Sequence, residues 1–368
     1  MSKNIVLCCD GTANEFKRDK TNVVKLFYTL VHDLPDQKTY YHAGVGTMEA
    51  AGAVTTVGRK VTKLLGKAIG YGLETDIRDA YVFLMNHFQD GDRVFLFGFS
   101  RGAYTARAVG ALLHMYGLIR PGNEPLVPYA IRMMMAITKL NKEKAPASAT
   151  DEYFELARDF KRHFCIEGCD PYFEGVWDTV SSVGWIESPV RLPYTSNSPN
   201  VAIGRHAIAI DERRAFFRTN LWHPARPDGG PKDVKQVWFP GVHCDVGGGY
   251  PEKESGLAKI PLQWMLKEAT DAGLLVDPLR VDLVLGRSGG DYVPPNATAE
   301  MHESLTPAWW PVEFIPKRHY DWKAKEEKRR MNLFRRRTIP KGALIHQSAF
   351  QRGEAYSKLL PADAVIVQ

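Results

Sequence analysis

Gly98-Phe99-Ser100-Arg101-Gly102 places a serine between two glycines, directly after the apolar run Val94 to Phe97 and directly before an alanine-rich helical pattern. A serine hydroxyl is a poor nucleophile at neutral pH until an imidazole takes its proton. The imidazole in turn needs an acid to fix its tautomer and to stabilise the imidazolium. A G-x-S-x-G sequence set between a strand and a helix supplies the exposed hydroxyl, because the turn lifts it clear of the sheet. The glycines allow the sharp bend and the close approach of neighbouring backbone. Ala103, Ala106, Ala108, Gly110 and Ala111 then let a helix lie close on that sheet.

Such a serine must be positioned by elements whose other ends carry its partners. Strands are expected at Asn4–Cys9, Thr39–His42, Arg93–Phe99, Tyr172–Trp177, Ala207–Ile210 and Val234–Phe239. Helical patterns fall between them at Val23–Leu34, Gly72–Phe88, Ala103–Tyr116, Glu152–Phe164 and Pro261–Ala272. This alternation predicts an α/β fold, a mostly parallel central sheet with helices on both faces. Ligands of such sheets bind outside the carboxyl ends of the strands. Those ends are polar here: Asp10-Gly11-Thr12, Ser100, Asp178-Thr179, and His243-Cys244-Asp245 before Gly247-Gly248-Gly249. A serine, an acid, a histidine and a glycine-containing turn are the parts needed for acyl transfer. Asp178 also reads as a cap of its own turn, with Thr179 and Ser181. His206 and His302 compete with His243 for the base, although His206 heads an apolar run and so falls at the wrong end of a parallel strand. Asp245 is a rival acid or a support for neighbouring backbone.

The segments LCCDGTAN, GDRVFLFGFSRGAYTARAVGALL, GVWDTVSSVG, RHAIAIDERRAFF and VWFPGVHCDVGGGY follow in order from residue 7 to about residue 250, with a weaker block at Met301-His302-Glu303-Ser304. Together they resemble the α/β-hydrolase family that includes the phospholipase effectors of bacterial type VI secretion, the family-one lipase effectors. The resemblance implies a serine esterase or lipase with Ser100 as nucleophile, Asp178 as acid and His243 as base, in the chain order Ser, Asp, His that such hydrolases keep. An oxyanion hole needs two backbone N–H donors, one of them from the residue after the nucleophile, here Arg101. The resemblance puts the Asp10 turn beside the elbow, so Gly11 and Thr12 are the candidates for the second donor, with Asp10 and Asp245 in support. The expected substrate is a lipid, a phospholipid or another acyl ester. Two other readings remain: a non-catalytic binding protein on the same fold, and a phosphatase using Asp10. The phosphatase pattern D-x-D-G-T has Cys8 where its first aspartate belongs.

The 368 residues, 44% hydrophobic and 24% charged, suit one globular domain over 1–368, with a helical insertion expected at 120–170 and a C-terminal extension at 275–368. Five cysteines form no disulfide framework, which favours a reducing compartment. Cys165 and Cys169 lack the partners of a zinc site, so neither metal nor cofactor is expected. No apolar run is long enough to span a bilayer, and the first strand leaves no room for a signal peptide. The chain therefore reads as cytoplasmic when made, with delivery by a secretion system that needs no cleavable signal left open. Net charge is +6, much of it in Lys323 to Arg337. That run reads as a solvated helix face or as a peripheral membrane contact, and it lacks the stacking aromatics or motif of a nucleic-acid site. Gly58 to Leu73 alternates bases with apolar residues as a core helix or a lid would. Trp309-Trp310-Pro311 reads as core or as the wall of an acyl pocket.

Overall fold

A computed structural model describes residues 2–11, 19–32, 34–44, 56–143, 146–180, 184–185, 188–189, 192–223, 231–321 and 326–368. Side chains at 56–71, 141–143, 147, 184–185, 188–189, 317–321 and 326–327 are outside that description. Eight strands form the central sheet: β1 Asn4–Cys9, β2 Gln37–His42, β3 Arg93–Phe99, β4 Pro171–Trp177, β5 Ile203–Ala209, β6 Asp233–Phe239, β7 Leu344–His346 and β8 Val365–Val367. Their spatial order is β8-β7-β6-β5-β4-β3-β1-β2, and every pairing is parallel. The order reverses between β1 and β3. In open α/β sheets the crevice at such a switch point, outside the carboxyl ends, is where ligands sit. Asp10 and Ser100 are the residues that leave those two strands.

Alternation along β1 and β3 decides which helices pack where. Ile5, Leu7, Cys9, Val94 and Leu96 turn to one face and meet α2 Thr56–His87, α3 Arg101–Tyr116 and α4 Val127–Glu143. Val6, Cys8, Phe95, Phe97 and Phe99 turn to the other, against α1 Asn22–Thr29 and, further along the chain, Gly256–Asp271. Burial of both faces explains why these strands read as continuous apolar runs. Between β3 and β4, α4 is followed by α5 Ala147–Phe164.

The elbow is held by close backbone approach. A Cβ on Gly98 would meet the Gly102 carbonyl oxygen at 2.4 Å, and one on Gly102 would meet the Cys9 carbonyl oxygen at 2.1 Å. Neither obstacle is a flexible side chain, so both positions must be glycine. Ser100 itself sits at φ 59°, ψ −117°, a conformation that costs an L residue energy and is tolerated where a site requires it.

Three expectations change. The helix expected to start at Pro261 starts at Gly256, with the proline inside it. The short strands β7 and β8, three residues each, lack the length for a period-two signal, and residues beyond 275 supply both. Among its described residues the basic run forms no helix: Glu326–Arg330 pairs antiparallel with Lys317–Asp321, and the chain then turns through 331–337. Cross-strand pairing with the adjacent segment Lys317–Asp321 won over the local charge pattern. Residues 322–325 lie outside the described residues, as do the side chains of Gly58 to Tyr71 in the amphipathic stretch, although its backbone is helical within α2.

Candidate active site

Ser100 follows β3 directly, Asp178 follows β4, and His243 opens the five-residue helix His243–Gly247 just beyond β6. The three share one rim of the sheet. Ser100 N–H donates to the Trp177 carbonyl at 3.1 Å, and Asp178 N–H donates to the Ala207 carbonyl at 2.7 Å, so each turn is fixed by the neighbouring strand. Asp178 Oδ2 lies 2.5 Å from His243 Nδ1. With Nδ1–H donating to the carboxylate, Nε2 is left with a free lone pair. The imidazole packs between Phe99, the residue before the serine, at 4.6 Å between ring centroids, and Phe217 at 4.8 Å.

Arg337 grips the same carboxylate. Its Nη1 donates to Asp178 Oδ1 at 2.5 Å and its Nη2 to Oδ2 at 3.0 Å, while the Ala209 carbonyl accepts from Nη1 at 2.9 Å and the Phe217 carbonyl from Nη2 at 2.5 Å. Ala209 N–H adds a second donor to Oδ1 at 3.0 Å. Burial alone would raise the Asp178 pKa, but the Arg337 charge first, and His243 second, hold it far below the usual carboxylate range. For His243 burial dominates and lowers the pKa, with Asp178 pulling partly back. The imidazole is therefore neutral at neutral pH, as a proton acceptor must be. Placing Arg337 among surface cations was an error of the sequence reading: it is buried. Nothing local distinguishes it from Arg335 and Arg336.

A second buried carboxylate, Glu212, holds the turn that carries the histidine. His243 N–H donates to its Oε2 at 3.2 Å, Arg214 and Ser304 donate to it as well, and the Arg214 guanidinium outweighs burial to bring its pKa down to about 2. Sequence reasoning missed Glu212, whose only signal was an acid one residue past Asp211 after a strand. Asp245 takes the Val242 N–H at 3.0 Å and His302 Nδ1 at 2.6 Å. The His302 ring also meets Glu254 at 3.1 Å and stacks on Tyr250 at 3.6 Å, and these two acids raise its pKa against the opposing effect of burial. His206 is enclosed mid-strand in β5, where Thr179 N–H donates to its Nε2 at 3.2 Å. Asp178 and His243 are thus brought together, while His302 and Asp245 form a separate pair.

At the first strand end, Asp10 is buried and accepts from Thr21 Oγ1 at 2.6 Å, Tyr41 Oη at 2.9 Å and Gly11 N–H at 2.7 Å. Gly11 N–H is consequently committed to Asp10, and Thr12 lies outside the described residues. Arg101 N–H, in the first turn of α3, has no acceptor among the described residues. Trp309 packs on Phe217 at 5.5 Å, one ring removed from His243. The five cysteines are free thiols.

Residues 3–268 match the family described as "T6SS, Phospholipase effector Tle1-like, catalytic domain". The chain belongs to this Tle1-like family. An uncharacterized Saccharomyces cerevisiae protein, YEL023C, is 34% identical over 230 residues, which are 60% of this chain and 33% of the yeast protein. Among solved structures, an uncharacterized Pseudomonas aeruginosa protein overlaps with a TM-score of 0.45 at 20% identity, over 79% of this chain and 49% of that one. The Tle1 effector bound to the VgrG spike of the type VI secretion system overlaps at 0.37 and 17%, over 70% and 53%. This Tle1-like chain spans about a third of its yeast relative and about half of each solved structure. Ser100, Asp178 and His243 all fall within the matched residues, whereas His302, Trp309 and Arg337 lie beyond them.

Proposed function

We propose that this Tle1-like chain hydrolyses carboxylic esters of lipids through an acyl-enzyme, with Ser100 as nucleophile, His243 as general base and Asp178 as the acid that orients it. The observation that carries this reading is the 2.5 Å Asp178–His243 contact, with the imidazole packed on the residue next to Ser100. In the first step Ser100 Oγ attacks the carbonyl carbon while His243 Nε2 takes its proton, and the alcohol departs with that proton. Water then attacks the acyl-enzyme by the same route in reverse, releasing the acid. The Arg101 N–H is the donor we assign to the oxyanion. The lipid class of the ester follows from family membership. A phosphatase reading of Asp10 is disfavoured, because that carboxylate is buried and its oxygens are already bonded to Thr21, Tyr41 and Gly11.

Labelling with a fluorophosphonate probe, together with cleavage of short p-nitrophenyl carboxyl esters in EDTA, tests the reading. Covalent labelling at Ser100 and EDTA-resistant turnover are expected. A folded chain that neither labels nor cleaves is a binding protein, and phosphate release dependent on Mg²⁺ returns the chemistry to Asp10.

Arg337 gives a second, finer test. Arg337→Lys keeps one charge but loses the two-pronged geometry, and kcat should fall by about tenfold to a hundredfold as the Asp178–His243 axis loosens. Arg337→Met removes a cation near the pair, so the Asp178 charge stabilises the imidazolium more fully and the His243 pKa rises. The acid limb of the kcat/KM profile should therefore move to higher pH. Unchanged kcat and an unmoved acid limb in both folded variants would remove Arg337 from the mechanism.

A further inference from the structure

Next to this site the chain exposes apolar side chains in a way that core packing does not explain. Trp310 and Phe314, on and just after the short helix Trp310–Glu313, are 50% and 52% exposed, and Met331 and Leu333 opposite them are 40% and 41% exposed. The Phe334 ring joins the two sides, edge-on to Trp310 at 5.9 Å and to Phe314 at 5.7 Å between centroids. Leu333 and Phe334 both adopt left-handed backbone, at φ 50° and 60°. Two consecutive L residues hold such a conformation only where their surroundings impose it.

Glu313 imposes it. Its buried carboxylate Oε2 accepts Phe334 N–H at 3.0 Å and Asn332 Nδ2 at 2.5 Å, and its carbonyl accepts Asn332 and Leu333 N–H at 3.1 and 3.2 Å. A buried carboxyl oxygen is thus committed to a turn whose Leu333 side chain is exposed. The turn and the strand before it carry cations: Arg329, Arg335 and Arg336 are exposed. Cations also crowd beneath it: burial first, and then Arg330, Arg337 and Arg335, lower the Arg218 pKa to about 10. An acid that meets the cationic rim, Asp211, is shared by Arg336 at 3.5 Å, Gly241 N–H and Tyr356.

We propose that this face docks on an anionic lipid surface, with Trp310, Phe314, Leu333 and Phe334 entering the headgroup boundary and Arg329, Arg335 and Arg336 meeting lipid phosphates. Charge complementarity selects this occupant. A second copy of the chain would bring the same arginines against themselves, whereas an anionic bilayer offers negative charge around an apolar layer that accepts tryptophan and phenylalanine. The proposal rests on the lipid-ester reading and gives it a direction of approach. From the patch, Trp309 leads through Phe217 to His243, and the residue after Arg336 is the one that holds Asp178.

Vesicle flotation of the full chain carrying Ser100→Ala tests docking without turnover, so that failure here and failure of the hydrolase reading are distinct results. We expect recovery on phosphatidylcholine vesicles containing phosphatidylserine, weakened by high salt and weaker on phosphatidylcholine alone. Arg335→Gln with Arg336→Gln should cost about tenfold or more in apparent affinity and abolish the preference for phosphatidylserine. Phe314→Ser with Leu333→Ser should cost about tenfold or more on both vesicle types, with melting temperature as the control for folding. Should that pair prove unstable, Trp310→Ser alone is expected to give the same direction of loss. Absence of recovery on anionic vesicles at low salt, equal recovery with and without phosphatidylserine, or self-association removed by the Phe314 and Leu333 changes would each overturn the proposal.

Discussion

Ser100→Ala is expected to reduce turnover of a short p-nitrophenyl ester by about 10⁵–10⁶, the scale on which loss of a triad nucleophile acts elsewhere. The change is clean in physical terms. Alanine keeps the Cβ, so the backbone conformation at φ 59° is no harder to hold than before, and the serine makes no side-chain capping bond to α3 that would be lost. Position 100 is only partly buried, so no void opens in the core. The melting temperature should therefore stay within a degree or two of the parent while fluorophosphonate labelling disappears. Esterase activity that survives in the purified variant would mean that another residue attacks the carbonyl.

His243→Ala should remove turnover on a similar scale, whereas His302→Ala should cost about tenfold at most. The difference lies in their partners. The His243 pKa is lowered and its Nδ1 is engaged by Asp178, leaving Nε2 able to accept a proton at neutral pH. His302 has both ring nitrogens engaged, Nδ1 by Asp245 at 2.6 Å and Nε2 by Glu254 at 3.1 Å, so neither is free to take a proton from Ser100. Its loss acts through Asp245 on the turn that carries His243. The acid requires a separate control. Asp178→Asn should lower kcat by about 10⁴ by favouring the wrong tautomer, but it also leaves Arg337 buried without its counter-charge, a change that costs about 3–5 kcal/mol of stability. Kinetics should accordingly be read on protein shown to be folded by its melt. If His302→Ala abolishes turnover while His243→Ala spares it, the base has been misassigned.

The residues of the proposed site were legible as candidates because they sit where local pattern changes. Val94 to Phe97 ends in a glycine-flanked serine, β4 ends in Asp178, and β6 is followed within a few residues by His243. A period-two apolar run and the turn that stops it are properties of adjacent residues, so the sequence by itself determined the α/β alternation, the strand ends that carry these groups and the need for glycine at 98 and 102. Local pattern set His206 at the wrong end of a parallel strand, but it could not choose between His243 and His302, because both stand in acceptable local contexts. That choice belongs to the sheet order, which brings β4, β5 and β6 side by side and so sets Asp178 against a histidine 65 residues away. Arg337 is 159 residues from Asp178 and is chemically the same as the exposed arginines before it. Only the tertiary fold, by carrying residues 331–337 back over the ends of β4 and β5, makes one of them a buried partner of the acid and leaves the others facing solvent. Periodicity is short-range information, whereas the partner of a buried charge is fixed by which distant segments share the same low-dielectric space.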